Sequence, residues 1–429
     1  MADIRLMPLH SSQRGVYAGL GKRTALRCGR RWGKSALIEV IAAYDALRGR
    51  RVGLFAPDYA RLTPMYGSLL NTLKPAIKSA SKTEMTLTLV TGGVIDLWTL
   101  VDPNAGRSRW YDRAIVDEAG LVPDLENIFN LSIAPTLLDH NGDAILAGTP
   151  LGVDDQNFFY KACTTKTPSP KWPVPWVEFH RPTSSNPLLD PQVVQALPSQ
   201  YPELVYQQEY QAEFVSWSGE SLFKLPTLLV DGHGVEFPAI CDGVYCTVDT
   251  AVKDGLSHDG TAVCYFAVSK YFGVPVTILD WDYVQVNAAT QIEWLPSVFN
   301  RLDALAQQCR ARYGVLGCYI EDKQTGSMLL QHGEATGWPT VAIPANMTAA
   351  GKSGRASMAS GPVHQGRVKL SAHAYNKVSD FKGIVKNHLV AQITSFSIGD
   401  KEAYKRSDDL SDCFSYGCLI AFEGETAIL

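Results

Sequence analysis

A strand, a glycine-containing loop and a helix follow one another near the start of the chain, and this unit constrains the fold most. RTALRC (Arg23–Cys28) has the residue pattern of a short strand, CGRRWGKS follows as a loop, and Ser35–Leu47 is apolar enough for a buried helix. In such a unit, backbone N–H groups of the loop and of the first helical turn bind phosphate oxygens. The segment therefore predicts an α/β domain with a phosphate-binding loop.

The loop supplies a set of candidate nucleotide ligands. Lys34 would reach the β- and γ-phosphates, and the Ser35 hydroxyl would bind Mg²⁺. The spacing departs from the standard pattern because Cys28 stands where the first glycine is expected. By itself the segment is also compatible with a surface Gly-Lys-Ser turn. The candidate cofactor-binding residues of the loop are Gly29, Arg30, Gly33, Lys34 and Ser35.

Two acidic residues follow a short apolar run in RAIVDEAG, at 113–120. Asp117 would hold Mg²⁺ through water, and Glu118 would orient or deprotonate the attacking water. The alternative is a solvated acidic turn, which the accompanying phosphate loop disfavours. AILAGTP, at 144–150, predicts another strand, and Thr149 at its tip would sense the γ-phosphate.

Arginines would supply the remaining positive charge for ATP hydrolysis. Arg30 and Arg31 lie in the loop, while Arg107 and Arg109 precede the acidic strand. Any of them would be able to stabilise the transition state, in its own chain or in a neighbouring subunit. Each is equally compatible with an ordinary surface arginine.

Strands alternate with helices in the first half of the chain, which predicts an α/β domain with a mainly parallel sheet. Two all-apolar runs are typical of central parallel strands covered on both faces. Gly92-Gly93 separates two strand-like runs and predicts a hairpin. The predicted strands are Arg23–Cys28, Arg51–Ala56, Leu87–Thr91, Val94–Trp98, Ala114–Val116 and Ala144–Ala147.

Prolines recur between 165 and 238 and indicate a linker with a small helical element at Gln200–Phe214. A second α/β region begins near Val244, with a loose loop over Met347–Gly366 and a final helix over Ser411–Phe422. Its other predicted elements are strands at Tyr245–Val248, Thr261–Val268, Val276–Leu279 and Val315–Ile320 and a helix at Asn287–Cys309. We therefore predict three segments, at 1–190, 191–235 and 236–429.

Acidic residues mark the ends of three apolar elements in the second half. Two-metal phosphodiester cleavage needs carboxylates that hold two Mg²⁺ or Mn²⁺ ions about 3.5–4 Å apart. An RNase H-like fold presents its acids in this order of strand, strand and helix. The alternative treats the helix acids as caps and the first strand acid as a turn former. The acids are Asp249 with Asp254 and Asp259 after it, Glu321 with Asp322, and Asp408, Asp409 and Asp412.

Basic residues accumulate between Lys352 and Lys386, with Asp380 as the one opposing acid. This stretch would track a DNA backbone, or it is a mobile surface loop with lysines. It also contains Arg355, Arg367, Lys369, Lys377 and Lys382.

Bulk composition excludes several classes of protein. The formal net charge is −4, so any contact with nucleic acid must come from local patches. Nine cysteines without a CxxC pair disfavour a zinc site and a disulfide framework, and they indicate reduced thiols. The N-terminal segment has no apolar signal core, and no run approaches the length of a membrane span. These features favour a soluble protein that is not secreted.

Taken in series, the motifs resemble the large terminase subunits of tailed double-stranded DNA bacteriophages. The series is a phosphate loop with arginines before GKS, an IVDEA strand, an AGTP strand, an aspartate-bearing strand and a late DDLxD helix. The resemblance implies an N-terminal P-loop ATPase domain and a C-terminal RNase H-like nuclease domain. Cys28, and Cys413 where the family often has alanine, are departures from the family pattern.

The resemblance assigns roles to further residues. Gln13 and Arg14 resemble the family's adenine-contacting motif, and Arg107 resembles an arginine that acts between ring subunits. Residues 208–223 resemble the segment that joins motor to nuclease. Asp249, Glu321 and Asp409 resemble the metal-binding triad, with Asp408 and Asp412 as rivals for the third position.

The resemblance also implies cofactors, partners and a place of action. It implies ATP with Mg²⁺ at the first site and two Mg²⁺ or Mn²⁺ ions at the second. It implies double-stranded DNA, a portal protein and a small terminase subunit as partners, with a pentameric ring on the procapsid. The place of action would be the host cell cytoplasm, transiently at the portal vertex.

Two other functions remain open from the residues alone. One is a helicase-like, DNA-translocating ATPase whose second domain binds DNA without cutting it. The other is a scaffold or binding module with a degenerate phosphate loop, which Cys28 alone supports.

Overall fold

The computed structural model describes residues 4–165, 174–217, 220–250, 260–286, 288–323, 325–398 and 407–422. The chain divides into two compact units: unit 1 is Met1–Pro198 with Glu203–Ser216, and unit 2 is Ser199–Pro202 with Trp217–Leu429. Residues 203–216 therefore cluster with unit 1. The three-part division of the chain at 190 and 235 stays a prediction.

Unit 1 is built on an eight-stranded sheet in the order β3-β4-β5-β2-β6-β7-β1-β8. Every pairing from β5 to β8 is parallel, and β3 and β4 form an antiparallel edge. The strands are β1 (Arg23–Cys28), β2 (Arg51–Ala56), β3 (Ile77–Ser81), β4 (Thr86–Leu89), β5 (Val94–Thr99), β6 (Arg113–Val116), β7 (Asp143–Gly148) and β8 (Val177–Arg181).

Helices precede, connect and follow these strands along the chain, and the two faces of the sheet are buried under separate apolar clusters. They are α1 (Ser11–Ala18), α2 (Lys34–Leu47), α3 (Tyr59–Leu73), α4 (Leu125–Ile128), α5 (Phe158–Thr164), α6 (Pro191–Gln200) and α7 (Glu203–Val205). Short 3₁₀ and π turns lie at Lys74–Ala76, Ala119–Leu121, Phe129–Ile133, Ala134–Leu137, Thr183–Ser185 and Tyr206–Tyr210. The predicted mainly parallel α/β domain is confirmed.

One strand of this sheet lies where the sequence indicated a linker. β8 pairs in parallel with β1, with Cys28 opposite Arg181. Its side chains are mostly half-buried, because it forms the edge of the sheet, and so it shows no apolar run. The predicted linker is therefore wrong over β8. The proline-rich residues 166–173 lie outside the described part of the chain.

Unit 2 is built on a six-stranded sheet in the order β13-β12-β9-β10-β11-β14. β9, β10 and β11 form an antiparallel meander, and β12 joins the first of them in parallel. This arrangement is the RNase H-like fold, as predicted. The strands are β9 (Gly243–Thr250), β10 (Thr261–Val268), β11 (Val276–Val284), β12 (Val315–Ile320), β13 (Thr340–Ala342) and β14 (Val368–Leu370), and a separate hairpin is formed by β15 (Ser379–Phe381) and β16 (Ile384–Lys386).

The helices of unit 2 include one pair that the sequence did not indicate. α10 and α11 occupy the stretch predicted as a loose loop, so that prediction is wrong. The small residues of α11 are buried, including Ala356, Ser357 and Ala359, and they permit close packing where intrinsic propensity is poor. The helices are α8 (Ala288–Gln308), α9 (Thr325–Thr336), α10 (Ala345–Ala349), α11 (Gly351–His364), α12 (Ala372–Asn376), α13 (His388–Ser395) and α14 (Asp409–Phe422), with a 3₁₀ turn at Leu225–Leu228.

Within the described residues, no helix has both the length and the apolar character needed to cross a bilayer.

Candidate functional sites in the two units

Three neighbouring parallel strands of unit 1 bring the first set of predicted residues to one edge of the sheet. β6 leads into Asp117 and Glu118, β7 leads into Thr149, and β1 leads into the loop before Lys34. β7 lies between the other two, with Val116 opposite Leu146 and Arg27 opposite Gly148. Ligands of open α/β sheets bind outside the carboxyl ends of the strands, which is where these residues lie.

The loop reverses direction through backbone conformations with positive φ. Gly33 has φ of 99° and precedes the first residue of α2, and Arg31 has φ of 62°. The N–H groups of Lys34 and Ser35 have no acceptor within the helix, because they belong to its first turn. They are therefore available to an anion, and the helix dipole favours negative charge at this end.

Two buried polar residues at the start of α1 form hydrogen bonds to the backbone of the loop. Gln13 Nε2 donates to the Gly33 carbonyl at 2.8 Å, and His10 Nε2 lies 3.0 Å from the Trp32 carbonyl. His10 and Gln13 also cap α1 reciprocally. Gln13 thus fixes the loop, and its adenine-contacting role stays a prediction. The Arg14 side chain is exposed and donates to the Leu9 carbonyl.

Lys34 contacts both predicted acids of the β6 edge. Its ammonium group forms an ion pair with Asp117 and lies 3.0 Å from Glu118 Oε1. Burial alone would lower the pKa of Lys34, but the two carboxylates outweigh it and raise the pKa above its ordinary value. The contact brings together the residue types that bind the phosphates, the magnesium ion and the attacking water in ATP hydrolysis.

Glu118 is held in a strained turn beside several cations. It has φ of 50°, and its N–H donates to Asp117 Oδ1 at 2.9 Å. Burial would raise the pKa of Glu118, but Lys34, then Arg61 and Arg30, lower it overall. Arg61, on α3, is a residue that the sequence reasoning missed, since it lies outside every recognised motif.

Gly29 and Arg30 serve the packing of the loop. A Cβ on Gly29 would lie 2.3 Å from the Tyr210 carbonyl oxygen, so only glycine fits there. Arg30 forms an ion pair with Glu209, and its carbonyl accepts a 2.7 Å hydrogen bond from Thr183. Cys28 is buried in one of the two apolar clusters of unit 1, so its side chain packs in the core and not in the loop.

The remaining predicted site residues of unit 1 lie beside the loop, beside the acidic turn or at the surface. Ser35 and Arg31 are exposed beside the loop. Thr149 lies next to the turn after Glu118, with its carbonyl oxygen 3.3 Å from the position that a Cβ on Gly120 would take. Arg107 is exposed, and its Nε donates to the Ser132 hydroxyl at 3.0 Å.

In unit 2 the three acidic segments meet at one end of the sheet. Asp249 lies near the end of β9, and Glu321 follows β12, which runs parallel beside it with Ile320 opposite Val248. Thr247 donates to the Cys413 carbonyl at 2.8 Å and holds α14 against β9. Asp254 and Asp259 lie outside the described residues.

The acids are close enough to repel one another. Burial raises the pKa of Asp249 well above its ordinary value, and the negative charges of Asp412, Asp409 and Glu321 raise it further. Asp409 and Asp412 are themselves buried, with 7% and 5% exposure. Buried like charges of this kind are stabilised by a cation.

Basic and hydroxyl side chains already hold the acids of α14. Lys352 Nζ lies 2.6 Å from Asp408 Oδ1 and 3.2 Å from Asp412 Oδ2. Arg355 donates to the other oxygen of Asp412 at 2.7 Å, and Tyr283 donates to Asp409 at 2.6 Å. Lys352 and Arg355 belong to α11, and the sequence reasoning placed both in the basic tract. On the other side, Lys323 Nζ lies 2.5 Å from Glu321 Oε1.

The acids have the chemistry of a divalent-metal site without the closed geometry of one. All donors are carboxylate oxygens, which suit Mg²⁺ and Mn²⁺. Across the described residues, however, no three acidic, histidine or cysteine side chains are placed to hold one ion together. A metal at Asp412 would have to replace the ammonium of Lys352.

Most of the basic tract is bound within unit 2. Lys369 donates to the carbonyls of Thr227 and Leu229, each at 2.9 Å. Lys377 lies 2.8 Å from Asp280, and the Arg367 guanidinium lies 4.2 Å from the centre of the Phe422 ring. Lys352 and Arg355 are bound to acids at the start of α14, so the tract is not a free basic loop. The alternative of a mobile surface loop is therefore wrong.

Comparison with known proteins reveals a similar solved fold. No family model matches the chain, and no curated protein matches it. The large terminase of a thermophilic bacteriophage superposes with a TM-score of 0.66 at 12% identity, over 97% of this chain and 100% of that one. Its complex with ADP gives 0.66 at 13% identity, and its complex with ATP-γ-S gives 0.62 at 12%, both with the same coverage. Over nearly its whole length, the chain therefore has the fold of a bacteriophage large terminase.

Proposed function

We propose that the chain is a large terminase subunit, which hydrolyses ATP to move double-stranded DNA into a procapsid and cuts concatemeric DNA at a second site. The observation that carries this proposal is the contact of Lys34 with Asp117 and Glu118 at the carboxyl edge of the unit 1 sheet. The fold shared with the thermophilic bacteriophage enzyme, which forms complexes with ADP and ATP-γ-S, supports nucleotide binding by this chain.

The ATPase assignment rests on the change of partners that a bound triphosphate would cause around Lys34. An incoming triphosphate would take the Lys34 ammonium away from Asp117 and Glu118, since phosphate oxygens carry the greater charge. Asp117 would then be free to bind Mg²⁺ together with the Ser35 hydroxyl, and Glu118 would orient the attacking water. Thr149 would report loss of the γ-phosphate from the tip of β7. Arg31 and Arg107 are the proposed sources of transition-state charge.

The nuclease assignment rests on the acids at the end of the unit 2 sheet. Asp249, Glu321 and Asp409 would hold two Mg²⁺ or Mn²⁺ ions, with Asp412 as a further ligand. Two such ions stabilise the attacking and leaving oxygens of a phosphodiester. The carboxylates that raise the pKa of Asp249 support this assignment, because each cation removes part of their repulsion.

Assembly and location form part of the same proposal. We propose that the chain acts with a portal protein and a small terminase subunit, as a pentameric ring at the portal vertex in the host cytoplasm. The support is the fold shared with a bacteriophage large terminase.

The test separates the two sites in the full chain. Lys34→Ala and Glu118→Gln should lower ATP turnover by about 10²–10³-fold and leave Mn²⁺-dependent cutting of plasmid DNA intact. Asp249→Ala should do the reverse. Two exposed residues provide the matched controls, Lys78→Ala on β3 and Asp303→Ala on α8. Loss of both activities in every site variant, with circular dichroism unchanged, would refute the two-site division.

A helicase-like ATPase with a non-cutting DNA-binding domain is the second candidate. The ion pairs of Asp412 with Lys352 and Arg355 favour it, because they occupy oxygens that a metal would need. Manganese-dependent nicking of supercoiled plasmid by the full chain, absent in Asp249→Ala, would exclude this candidate. Absence of nicking with ATPase activity intact would favour it.

A further inference from the structure

Three exposed aromatic residues lie on two neighbouring turns at the end of the unit 2 sheet opposite the acids. Tyr271 and Phe272 form the turn between β10 and β11 and are 74% and 60% exposed, and Tyr313, before β12, is 68% exposed. β9 begins beside them at Gly243 and reaches Asp249 at its other end. At about 3.3 Å per residue, roughly 20 Å separates these rings from the acids. We call this surface the aromatic patch, made up of Tyr271, Phe272, Tyr313, Lys270, Arg310 and Arg312.

Asp242 fixes the two turns of the aromatic patch to each other. Its carboxylate accepts a 2.7 Å hydrogen bond from the Lys270 N–H, and its carbonyl accepts one of 2.9 Å from the Tyr313 N–H. The Arg312 N–H donates to the Cys241 carbonyl at 3.0 Å. The rings therefore project from backbone held by hydrogen bonds, so a ligand would meet a preformed surface.

Two of the rings each have a cation beside them. Lys270 Nζ lies 5.9 Å from the centre of the Tyr271 ring, and the Arg312 guanidinium lies 5.6 Å from the centre of the Tyr313 ring. Arg310 is exposed on the same turn as Arg312. An exposed ring next to an exposed cation offers one face for stacking and one charge for a phosphate, which is the combination that single-stranded nucleic acid requires.

The charge of the aromatic patch identifies the class of ligand. The segments 239–243, 269–274 and 309–314 contain three basic residues and one acid, Asp242, in a chain whose net charge is −4. Asp242 lies 3.6 Å from the Arg312 guanidinium and offsets one of the three charges, so the patch stays positive. Local positive charge on an acidic protein favours a polyanion. The rings favour unpaired bases over a duplex, because paired bases are covered on both faces by their neighbours.

We propose that the aromatic patch binds single-stranded DNA, with unpaired bases on Tyr271, Phe272 and Tyr313 and phosphates on Lys270, Arg310 and Arg312. This site goes beyond the proposed function, since it requires neither nucleotide nor metal. An acidic protein surface is the competing occupant.

The test is fluorescence anisotropy of the full chain, in EDTA and without nucleotide, with a labelled oligo(dT) of about 16 nucleotides and a duplex of equal length. Tyr271→Ala and Tyr313→Ala should each weaken binding of the single strand roughly tenfold and leave duplex binding unchanged. Tyr271→Phe and Tyr313→Phe keep a ring and should bind like the wild type. Val385→Ala, which removes an exposed side chain elsewhere in unit 2, should also have no effect.

Salt dependence tests the cations separately. Arg312→Ala should reduce the slope of log affinity against log salt concentration by about 0.7, the value for one phosphate on a single strand. The same change at Lys224, a 69% exposed lysine outside the aromatic patch, should leave the slope unaltered. Single-strand affinity unaffected by the ring and cation variants, as an acidic protein ligand would give, would overturn the proposal. An equal loss of affinity for single strand and duplex in the ring variants would overturn the proposal too. Because ATP turnover and metal-dependent cutting play no part in this assay, its failure would leave the proposed function standing.

Discussion

At each candidate site, one lysine contacts two acids. Lys34 joins Asp117 and Glu118 in unit 1, and Lys352 joins Asp408 and Asp412 in unit 2. A buried carboxylate without a partner is costly, so each lysine stabilises a site that would otherwise repel itself. A nucleotide or a metal would take over part of that role.

The raised pKa of Asp249 makes the stability of the folded chain depend on pH. Burial and three neighbouring carboxylates raise its pKa, so the folded chain holds a proton there that the unfolded chain releases at lower pH. Between these two pKa values the folded state binds more protons than the unfolded state, and the free energy of unfolding falls as pH rises. In EDTA we therefore expect Asp249→Asn to melt at a higher temperature than the wild type at neutral pH. The difference should vanish below about pH 4.

Differential scanning calorimetry across this pH range measures the effect, with Asp303→Asn on the exposed face of α8 as the control. A variant that melts at or below the wild-type temperature at neutral pH would contradict the repulsion described at Asp249.

Lys352 predicts a change in metal affinity. Because its ammonium contacts both Asp408 and Asp412, it would compete with the proposed divalent ion for the same oxygens. Lys352→Gln should therefore tighten Mn²⁺ binding by roughly fivefold, since an ion pair of an exposed lysine contributes up to about 1 kcal/mol. Calorimetric titration of the full chain with Mn²⁺ measures it, with Lys224→Gln as the control. Weaker binding in the variant would show that Lys352 supports the metal site.

Helices and strands with a regular pattern of apolar residues were predicted from the sequence. β1, β2, β10 and β12 have the predicted bounds, because most residues of each strand are buried and leave a recognisable strand pattern. The acids at the ends of β9 and β12 and at the start of α14 were found for the same reason.

Elements without such a pattern were missed for physical reasons. β8 is an edge strand with half-buried side chains, and α11 is a helix of small residues whose stability comes from packing against α14. Missing α11 also concealed the partners of Lys352 and Arg355, since only the helix brings these residues to the acids. The partners of charged side chains depend on tertiary packing, and local sequence does not contain them.

The packing of α14 against β10 predicts the cost of one added methyl group. A Cβ on Gly417 would lie 2.1 Å from the Phe266 ring, which is buried and has no room to move. Gly417→Ala should therefore lower the free energy of unfolding of unit 2 by about 1–3 kcal/mol. Urea denaturation measures it, and Phe266→Leu in the same chain should recover part of the loss.

Gly67→Ala provides the contrast for Gly417→Ala. Gly67 lies in α3 with no atom within 4 Å of its added Cβ, so alanine should stabilise unit 1 by about 0.5–1 kcal/mol. Equal effects of the two substitutions would argue against the tight contact at Phe266.

In an assembly of several chains, the proposed role of Arg107 would be played between neighbouring subunits. The cations that lower the pKa of Glu118 within one chain are Lys34, Arg61 and Arg30. Arg107 is exposed and bound to Ser132, in keeping with a role on a neighbouring subunit. We therefore expect Arg107→Ala to lower ATP turnover by about 10³-fold or more in the assembled protein.

Mixing inactive variants tests that role directly. A Lys34→Ala chain retains Arg107, and an Arg107→Ala chain retains Lys34, so a mixed assembly contains complete sites at some interfaces. ATP turnover should reappear on mixing and increase with protein concentration. A mixture as inactive as its components would place the arginine within a single chain.

The proposed function requires that one chain carries a nucleotide site around Lys34 and a metal site around Asp249. Its most direct test is anomalous diffraction from crystals grown with an ATP analogue and Mn²⁺. We expect one manganese ion beside Ser35 and Asp117, and a pair of ions bounded by Asp249, Glu321 and the acids at the start of α14. Nucleotide bound away from Lys34, or manganese absent from Asp249 at saturating concentration, would contradict it.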